Sequence, residues 1–442
     1  MRRRRTIRIG AAAGVTAVAA LALALAAPGQ AAPPDEPERD KAQGTHRVEY
    51  FDGPNAHPRH VEVSAETPER LRGSGSVAGD GDVTPVVENG PTADKLDIAV
   101  IGDGYTEAEL PQFHTDAKES WTELAGVEPY TTYQNLFNVW AIDAVSQDSG
   151  VSGDPDQGTV KNTALDSHFW CDNLERLLCV DTAKVESYAR NAPEADLVIV
   201  IANSAKYGGA GYNGVQSELG YDGIATHSGG NDQAGQIAIH ETGHSLGKLA
   251  DEYAYEDSEY TGPETGDLNT TVHTADELEQ NGTKWARWLG EATPDGGVIG
   301  AYEGAAYHTR GLFRPSEDSI MRTLGREFNL VGREAMIAGF HRHAPALASD
   351  TRTARALGSE DTVTVRVPEL TGDARQITLR WYLDGKEVER LRGDRAVRLA
   401  DVVGSGGGSH RLTAKATDPT AAVRDPALRA DLTKSLTWRV EG

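Results

Sequence analysis

The residues best suited to chemistry in this chain lie in one short segment, His240-Glu241-Thr242-Gly243-His244. Helical geometry would place His240 and His244 on one face, one turn apart, so that both imidazoles could hold the same zinc ion. Glu241 follows the first histidine and would reach a water molecule at that ion without binding the ion itself. The segment therefore predicts a metal centre with two ligands, His240 and His244, and a general base, Glu241.

The sequence around this segment favours a partly apolar helix. Ile237 and Ile239 precede the first histidine, and Leu246 and Leu249 follow the second at helical spacing. Histidines buried on such a helix need polar partners for their ring nitrogens, and a metal ion is one such partner. A chance match with two ordinary core histidines is the alternative, and the helical context makes it the weaker interpretation.

A catalytic zinc ion needs three protein ligands and one open position, so a third ligand has to follow His244. We expect the helix to end at Gly247, because glycine tolerates the left-handed turn that would bring the chain back under the metal. Asp251 is the predicted third ligand, and Glu252 at the next position is its rival. Either carboxylate could instead lie in solvent or form a hydrogen bond with a ligand histidine.

The elements that must position these residues alternate between strand and helix patterns. The predicted strands cover residues 96–105, 138–145, 195–202 and 223–227, a helix covers 107–124, and a glycine-rich turn covers 207–211. The near-continuous apolar run at 195–202 is typical of a central strand buried on both faces. The alternation predicts an α/β (α+β) domain, in which the catalytic helix packs on a twisted mixed sheet.

The remaining segments suggest further domains on either side. Alternating stretches within 46–72 predict a small β-hairpin, and the glycine-rich stretch 73–91 reads as a linker. Short β-type runs after residue 360, with a hairpin turn at Asp384-Gly385, predict an all-β immunoglobulin-like sandwich. The expected divisions are a signal peptide at 1–32, a disordered segment at 33–44, a small β segment with linker at 45–92, the catalytic domain at 93–350 and the β-sandwich at 360–442.

Composition indicates where such a protein works. The basic start, the alanine-rich apolar run and the small residues after it predict a secreted protein, exported by the general or the twin-arginine route. A formal net charge of −24 opposes nucleic acid and anionic membranes as partners, and no later run is apolar enough to span a bilayer. We expect a monomer with a disulfide between Cys171 and Cys179. Bound Ca²⁺ is conceivable with so many carboxylates, but no calcium-loop motif supports it.

The residues from His240 through Tyr253 read H-E-x-G-H-S-x-G-x-L-A-D-E-Y, which is similar to the IgA-peptidase family of secreted bacterial zinc metallopeptidases. Their opening resembles the metzincin signature H-E-x-x-H-x-x-G-x-x-H, although Ala250 stands where that signature has its third histidine. The resemblance covers roughly residues 95–345, and the other matching stretches are 102–105, 137–139, 207–209, 302–305 and 319–321.

This resemblance implies a metzincin-like zinc peptidase domain, endopeptidase activity and a methionine turn beneath the metal. Met321 is the candidate for that turn, with Met336 as its competitor and ordinary core packing as the alternative. Tyr253 and Tyr307 could stabilise the site, although a structural role is favoured for both. Structural roles are also favoured for the remaining histidines near the matching stretches and the basic helix end, His227, His308, His341 and His343.

The sequence therefore predicts a secreted zinc-dependent endopeptidase that acts on proteins or peptides through one zinc-activated water. Glu241 would take the proton of that water and pass it to the leaving amine. An extended substrate is expected to pair with an edge strand near residues 207–212. The alternatives are a non-catalytic secreted protein that binds cell wall or glycan on a degenerate peptidase scaffold, and a zinc hydrolase of other amides or esters. The intact motif argues against degeneracy, and the sequence leaves the protein substrate open.

Overall fold

The structure, a computed structural model, describes residues 44–54, 56–64, 79–215, 217–403 and 408–441. The predicted signal peptide, and the predicted disordered segment as far as residue 43, lie outside the described residues. Among the helices that are described, none combines the length and the apolar character needed to cross a bilayer.

The described residues contain seven α-helices and eighteen β-strands. The helices are α1 (Leu110–Ala125), α2 (Tyr130–Tyr133), α3 (Thr182–Ala189), α4 (Gly235–Ser245), α5 (Ala275–Asn281), α6 (Leu330–His343) and α7 (Leu428–Asp431). The strands of the largest sheet are β1 (Thr45–Tyr50), β2 (Arg59–Ser64), β3 (Val83–Val87), β4 (Leu96–Asp103), β5 (Phe137–Ile142), β6 (Leu197–Ala202), β7 (Gly209–Asn213) and β8 (Gly223–Ser228).

The largest sheet is mixed, with the strand order β2-β1-β7-β8-β6-β4-β5-β3. Its centre, β5, β4, β6 and β8, is parallel, whereas β3, β7, β1 and β2 are antiparallel to the strands that they join. Every residue of β4 and β6 is buried, as their apolar runs predict for strands covered on both faces. The predicted α/β architecture with a large mixed sheet is confirmed.

Strand β7 corrects the prediction of a glycine-rich turn at 207–211. The segment becomes a strand at Gly209, because its glycines make room for α4 rather than for a bend. A Cβ atom added at Gly209 would lie 2.8 Å from Ile237 Cδ1, and one at Gly211 would lie 1.9 Å from Glu241 Oε2. Helix α4 can therefore lie directly against β7, which is how the catalytic motif comes close to the sheet.

Both ends of the sheet include residues upstream of the predicted catalytic domain. The predicted small hairpin is present, because β1 and β2 pair antiparallel from Thr45–Ser64 to Tyr50–Arg59. The prediction of a linker was wrong for β3, which pairs with β5. Val86 and Val87 of β3 pack against the main core, and that burial holds the segment in the sheet despite the glycines before it.

A small sheet and an all-β region complete the fold. The small sheet contains β9 (Ala254–Glu259), β10 (Tyr302–Ala305) and β11 (Tyr307–Arg314), in the order β10-β11-β9. The strands of the C-terminal region are β12 (Leu357–Gly358), β13 (Thr362–Thr364), β14 (Thr378–Leu383), β15 (Lys386–Glu387), β16 (Ala396–Arg398), β17 (Ser409–Thr417) and β18 (Thr433–Glu441). They form a five-stranded sheet, β12-β18-β17-β14-β15, and a two-stranded sheet, β13-β16.

Local sequence signals explain parts of this C-terminal region. Asp384 and Gly385 have φ angles of 48° and 82°, which is the left-handed pair that a tight hairpin between β14 and β15 requires.

The C-terminal region also packs onto the central part of the chain. The Tyr133 hydroxyl donates a hydrogen bond of 2.7 Å to Asp418, and His341 lies 3.1 Å from the same carboxylate. The described residues from Gly44 onwards accordingly belong to one compact unit.

The predicted disulfide is present between Cys171 and Cys179. It closes a short loop, and the backbone groups of His168 and Cys179 exchange two hydrogen bonds of 2.9 Å beside it. The bond therefore stabilises a local turn. It also removes both thiolates as ligands, so the group His168, Cys171 and Cys179 is no candidate for a metal site.

Candidate metal centre

Helix α4 carries the three residues of the H-E-x-x-H motif. His240 and His244 lie one turn apart, their Nε2 atoms are separated by 3.1 Å, and their ring centroids are 4.9 Å apart. His240 and Glu241 are buried, and His244 is nearly so. The helix thus brings the two rings to one point, as the four-residue spacing requires.

The chain leaves α4 by a different turn from the one expected. The residue in the left-handed region is Lys248, with φ of 51°, and not Gly247. Gly247 is needed for space instead, because a Cβ atom there would lie 2.8 Å from both Gly243 O and Met336 Sδ. This tight packing directs the following residues back towards the histidines.

Hydrogen bonds fix the orientation of both imidazole rings. His240 Nδ1 lies 2.8 Å from Ile320 O, and His244 Nδ1 lies 2.7 Å from Leu249 O. A carbonyl oxygen can only accept, so each Nδ1 carries the hydrogen and donates it. Each Nε2 is then free to offer its lone pair to the space between the rings, which is the arrangement that metal-binding histidines use.

Asp251, and not its rival Glu252, lies in this space. Asp251 Oδ1 is 3.2 Å from His240 Nε2 and 3.4 Å from His244 Nε2. The other oxygen of Asp251 accepts a hydrogen bond of 2.7 Å from the Tyr307 hydroxyl, which orients the carboxylate. Tyr307 therefore contacts the cluster through Asp251.

Glu49 is the fourth member of the cluster, and sequence reasoning missed it. Its Oε1 lies 3.4 Å from His240 Nε2, and its Oε2 lies 3.2 Å from His244 Nε2. The Tyr253 hydroxyl donates a hydrogen bond of 3.0 Å to Oε1. The residue comes from β1, which the alternating pattern identified as a hairpin strand, but nothing local in that pattern predicts that β1 pairs with β7.

The cluster of Glu49, His240, His244 and Asp251 fits a small divalent cation. The separations among His240 Nε2, His244 Nε2 and Asp251 Oδ1, 3.1 to 3.4 Å, are close to the edge of about 3.3 Å expected for a tetrahedron with zinc–ligand bonds of about 2.0 Å. A different oxygen of Glu49 lies within 3.4 Å of each histidine nitrogen. Glu49 Oε2 and Asp251 Oδ1 are buried, and neither has a hydrogen-bond partner among the described residues. A cation at the centre would satisfy both oxygens.

The charges in the cluster also favour a bound cation. Burial opposes protonation of His240, but the negative charges of Glu49 and Asp251 outweigh it and raise its pKa to about 10. Two buried carboxylates thus create a strongly negative potential at the imidazole nitrogens. A divalent cation would neutralise that potential in place of protons.

Glu241 lies beside this cluster and is held by β7. Asn213 Nδ2 donates a hydrogen bond of 3.0 Å to Glu241 Oε2, while Oε1 is buried without a hydrogen-bond partner in the described part of the chain. Burial and the charge of Glu49 raise the pKa of Glu241 to about 8. The carboxyl group is therefore a stronger base than an ordinary glutamate, and one of its oxygens has no hydrogen bond among the described residues.

Met321 packs beneath the two histidines. A Cβ atom at Gly243 would lie 2.4 Å from Met321 Sδ, so the thioether lies directly against the turn of α4 between the ligands. The carbonyl of the preceding residue, Ile320, is the one that orients His240. The structure thus gives Met321 a packing role against the helix that carries both histidines. Met336 instead lies near Gly247.

Glu252 anchors the turn that contains Met321. Its backbone N–H donates 2.7 Å to Met321 O, and its carboxylate accepts bonds of 2.7 Å from Ser319 Oγ and 3.0 Å from Asn269 Nδ2 and Asn329 Nδ2. The group is fully buried, and burial raises its pKa. Its role is therefore to hold two loops around the cluster.

We expect Glu252→Gln to destabilise the protein by about 1–3 kcal/mol, because an amide cannot accept all of these hydrogen bonds and brings two donors of its own. Metal content should change little, since none of the four clustered residues is altered. Urea unfolding followed by tryptophan fluorescence measures the change, with Glu259→Gln at an exposed position as the matched control. Equal stability of the two variants would contradict the anchoring role.

The other histidines singled out by sequence have structural partners. Their contacts are His227 with Ser120 at 3.1 Å, His308 with Ser258 at 2.9 Å, His341 with Asp418 at 3.1 Å and His343 with Asp196 at 3.0 Å. Within the described residues, these four belong to no group of three or more potential metal ligands.

The sequence of the chain is similar to that of a known protein family. The sequence model of the family described as IgA Peptidase M64 matches residues 84–296 and 293–340, which is more than half of the chain. A search of curated proteins found no match. The matched region includes all of α4, Asp251 and Met321, whereas Glu49 precedes it. The chain belongs to the IgA peptidase M64 family.

Proposed function

We propose that the chain is a secreted, zinc-dependent endopeptidase. Family membership supports a peptidase, and so a protein or peptide substrate. The observation that carries the rest is the convergence of His240 Nε2, His244 Nε2 and Asp251 Oδ1 within 3.1–3.4 Å of one another beside the base Glu241. The basic, alanine-rich N-terminal sequence supports secretion.

His240, His244 and Asp251 would hold the zinc ion, and their hydrogen bonds to Ile320, Leu249 and Tyr307 would keep the ligand atoms aimed at it. When bound, zinc lowers the pKa of its water towards about 7 and polarises the scissile carbonyl.

Glu241 would accept a proton from the attacking water through its unpartnered Oε1 and later deliver that proton to the leaving amine. Asn213 holds the second oxygen of Glu241, and so keeps the carboxylate pointed in one direction during both transfers.

We further propose that the catalytic part is metzincin-like and that the C-terminal region is an immunoglobulin-like sandwich. The position of Met321 under α4 supports the first assignment. The two C-terminal sheets, with the stacked rings of Trp381 and Trp438 in their core, support the second. Superposition of an experimental structure on both fold types tests these assignments, and a different strand order would overturn either one.

Metal analysis combined with cleavage assays tests the proposed function. The full chain and its Glu49→Gln variant are purified, their zinc content is measured by mass spectrometry, and both are incubated with casein and with a peptide library. The variant is included because Glu49 lies at the fourth corner of the cluster. We expect one zinc ion per chain and cuts within peptides that 1,10-phenanthroline abolishes. Zinc-loaded proteins of both kinds that cut nothing would contradict the proposal.

A further inference from the structure

We propose that the N-terminal hairpin, β1 and β2, occupies the substrate groove of this peptidase and keeps it latent, with Glu49 filling the fourth ligand position. The inference rests on the proposed function and extends it to the regulation of the site and to the class of substrate. Three features carry it: the strand that β1 covers, the position of Glu49 and the pocket that Phe51 fills.

Strand β1 covers the strand on which a substrate is expected. It runs antiparallel to β7, with Val48 opposite Tyr212 and Glu49 opposite Gly211. In the described sheet, β7 would be an edge strand without the hairpin, because its only other neighbour is β8. An extended peptide commonly binds by adding itself to such an edge through main-chain hydrogen bonds. The hairpin therefore takes the place of a substrate.

Glu49 closes the metal cluster. Catalytic zinc sites keep one position open for water and substrate, whereas sites with four protein ligands are closed and structural. The side chain of Glu49 is completely buried, lies within 3.4 Å of both histidines, and is held by Tyr253. With Glu49 in place, the cluster resembles a closed site, although Glu241 next to it has the setting of a catalytic base.

Phe51 fills an apolar pocket beside the cluster. Its ring is fully buried, and its centroid lies 5.2 Å from that of His240 in an edge-to-face contact. The pocket is lined by Tyr207, Ala234, Ile237 and Leu324. Since Phe51 follows Glu49 by two residues, both side chains lie on the same face of an extended chain. A polypeptide that replaces the hairpin would find this pocket next to its scissile bond, so we expect substrates with a large apolar or aromatic residue there.

The hairpin also precedes the part of the chain that the family model matches. The family match begins at residue 84, after β1 and β2, while the residues that would perform catalysis lie within it. The proposed ligands His240, His244 and Asp251 and the base Glu241 thus all lie within the matched region, whereas Glu49 lies before it, as expected of an inhibitory segment.

The test compares Glu49→Gln with Glu62→Gln, the same substitution at an exposed position of the same hairpin. The full chain is used in every case, loaded with zinc or with cobalt. Binding of acetohydroxamic acid, which needs an open ligand position, is measured by calorimetry and by the visible spectrum of the cobalt protein. Cleavage of fluorogenic peptides with and without a phenylalanine near the scissile bond is measured in parallel.

We expect Glu49→Gln to keep its zinc, to bind the hydroxamate roughly tenfold or more tightly than the unaltered chain, and to cleave faster by a similar factor, because a tethered ligand no longer competes. The Glu62→Gln protein should match the unaltered chain. Phe51→Ala, which leaves every ligand intact, should shift the same two quantities in the same direction by a smaller factor. Peptides with phenylalanine should be preferred.

Two results would overturn the inference. If Glu49→Gln binds zinc and the hydroxamate no differently from the unaltered chain, Glu49 does not close the site. If it loses zinc, Glu49 is an obligatory ligand and not an inhibitor. Failure of the proposed function looks different. Glu49→Gln would then keep its zinc and bind the hydroxamate more tightly than the unaltered chain does, but it would cut no peptide.

Discussion

Replacing Glu241 by glutamine is expected to reduce peptide-bond hydrolysis by about three orders of magnitude while zinc stays bound. The substitution keeps the shape of the side chain, and an amide oxygen can still accept the hydrogen bond from Asn213. What is lost is the ability to accept a proton from water and return it to the leaving amine. Glu241 is not among the four residues whose atoms converge on the metal position, so metal affinity should remain.

This prediction is measured as kcat/KM on a fluorogenic peptide, together with zinc content. The substitution is made both in the unaltered chain and together with Glu49→Gln, so that a closed site cannot hide the effect. Glu62→Gln serves as the control for loss of a carboxylate elsewhere. A fully zinc-loaded Glu241→Gln protein that retains most of its activity would rule out Glu241 as the general base.

The sequence identified the parts of the site that depend on local geometry. His240 and His244 are four residues apart on a helix, and helical periodicity alone places their rings together. The same reasoning applied to strands located β4, β5, β6 and β8 to within a few residues, most clearly β6, whose apolar run is uninterrupted.

Local sequence favoured Asp251 over Glu252 but could not exclude Glu252. Adjacent residues in an extended segment point in opposite directions, so only the partners of each side chain decide which one faces the metal. Most of those partners, Tyr307 for Asp251 and Ser319 with Asn329 for Glu252, lie more than fifty residues further along the chain.

Glu49 was missed for a related reason. The alternation of Arg47, Val48 and Glu49 predicts a strand, but it does not state which strand is its neighbour. Pairing of β1 with β7 is a long-range contact, and β7 itself was partly hidden by glycines that suggest a turn. The signal that these glycines are needed for the close approach of α4 exists only once the helix and the sheet are seen together.

Replacing Asp251 by alanine is expected to weaken zinc binding by more than about 100-fold and to abolish hydrolysis, because a ligand is removed and not merely one of its supports. The loss of zinc affinity in Asp251→Ala depends on whether Glu49 is present. In the Asp251→Ala protein, His240, His244 and Glu49 still offer three ligand atoms, whereas the double variant Asp251→Ala with Glu49→Gln retains only the two imidazoles. We therefore expect the double variant to bind zinc far more weakly than either single variant.

Competition with a fluorescent chelator measures the zinc affinity of all four proteins in this cycle. Tyr307→Phe is the matched control, since it removes the hydrogen bond to Asp251 but leaves the carboxylate in place, and should cost zinc affinity only about tenfold. Zinc affinities that are equal in the Asp251→Ala and unaltered proteins would exclude Asp251 as a ligand. If the two substitutions instead act additively, Glu49 and Asp251 do not share one ion, because two ligands of the same ion should show a coupling energy when they are removed together.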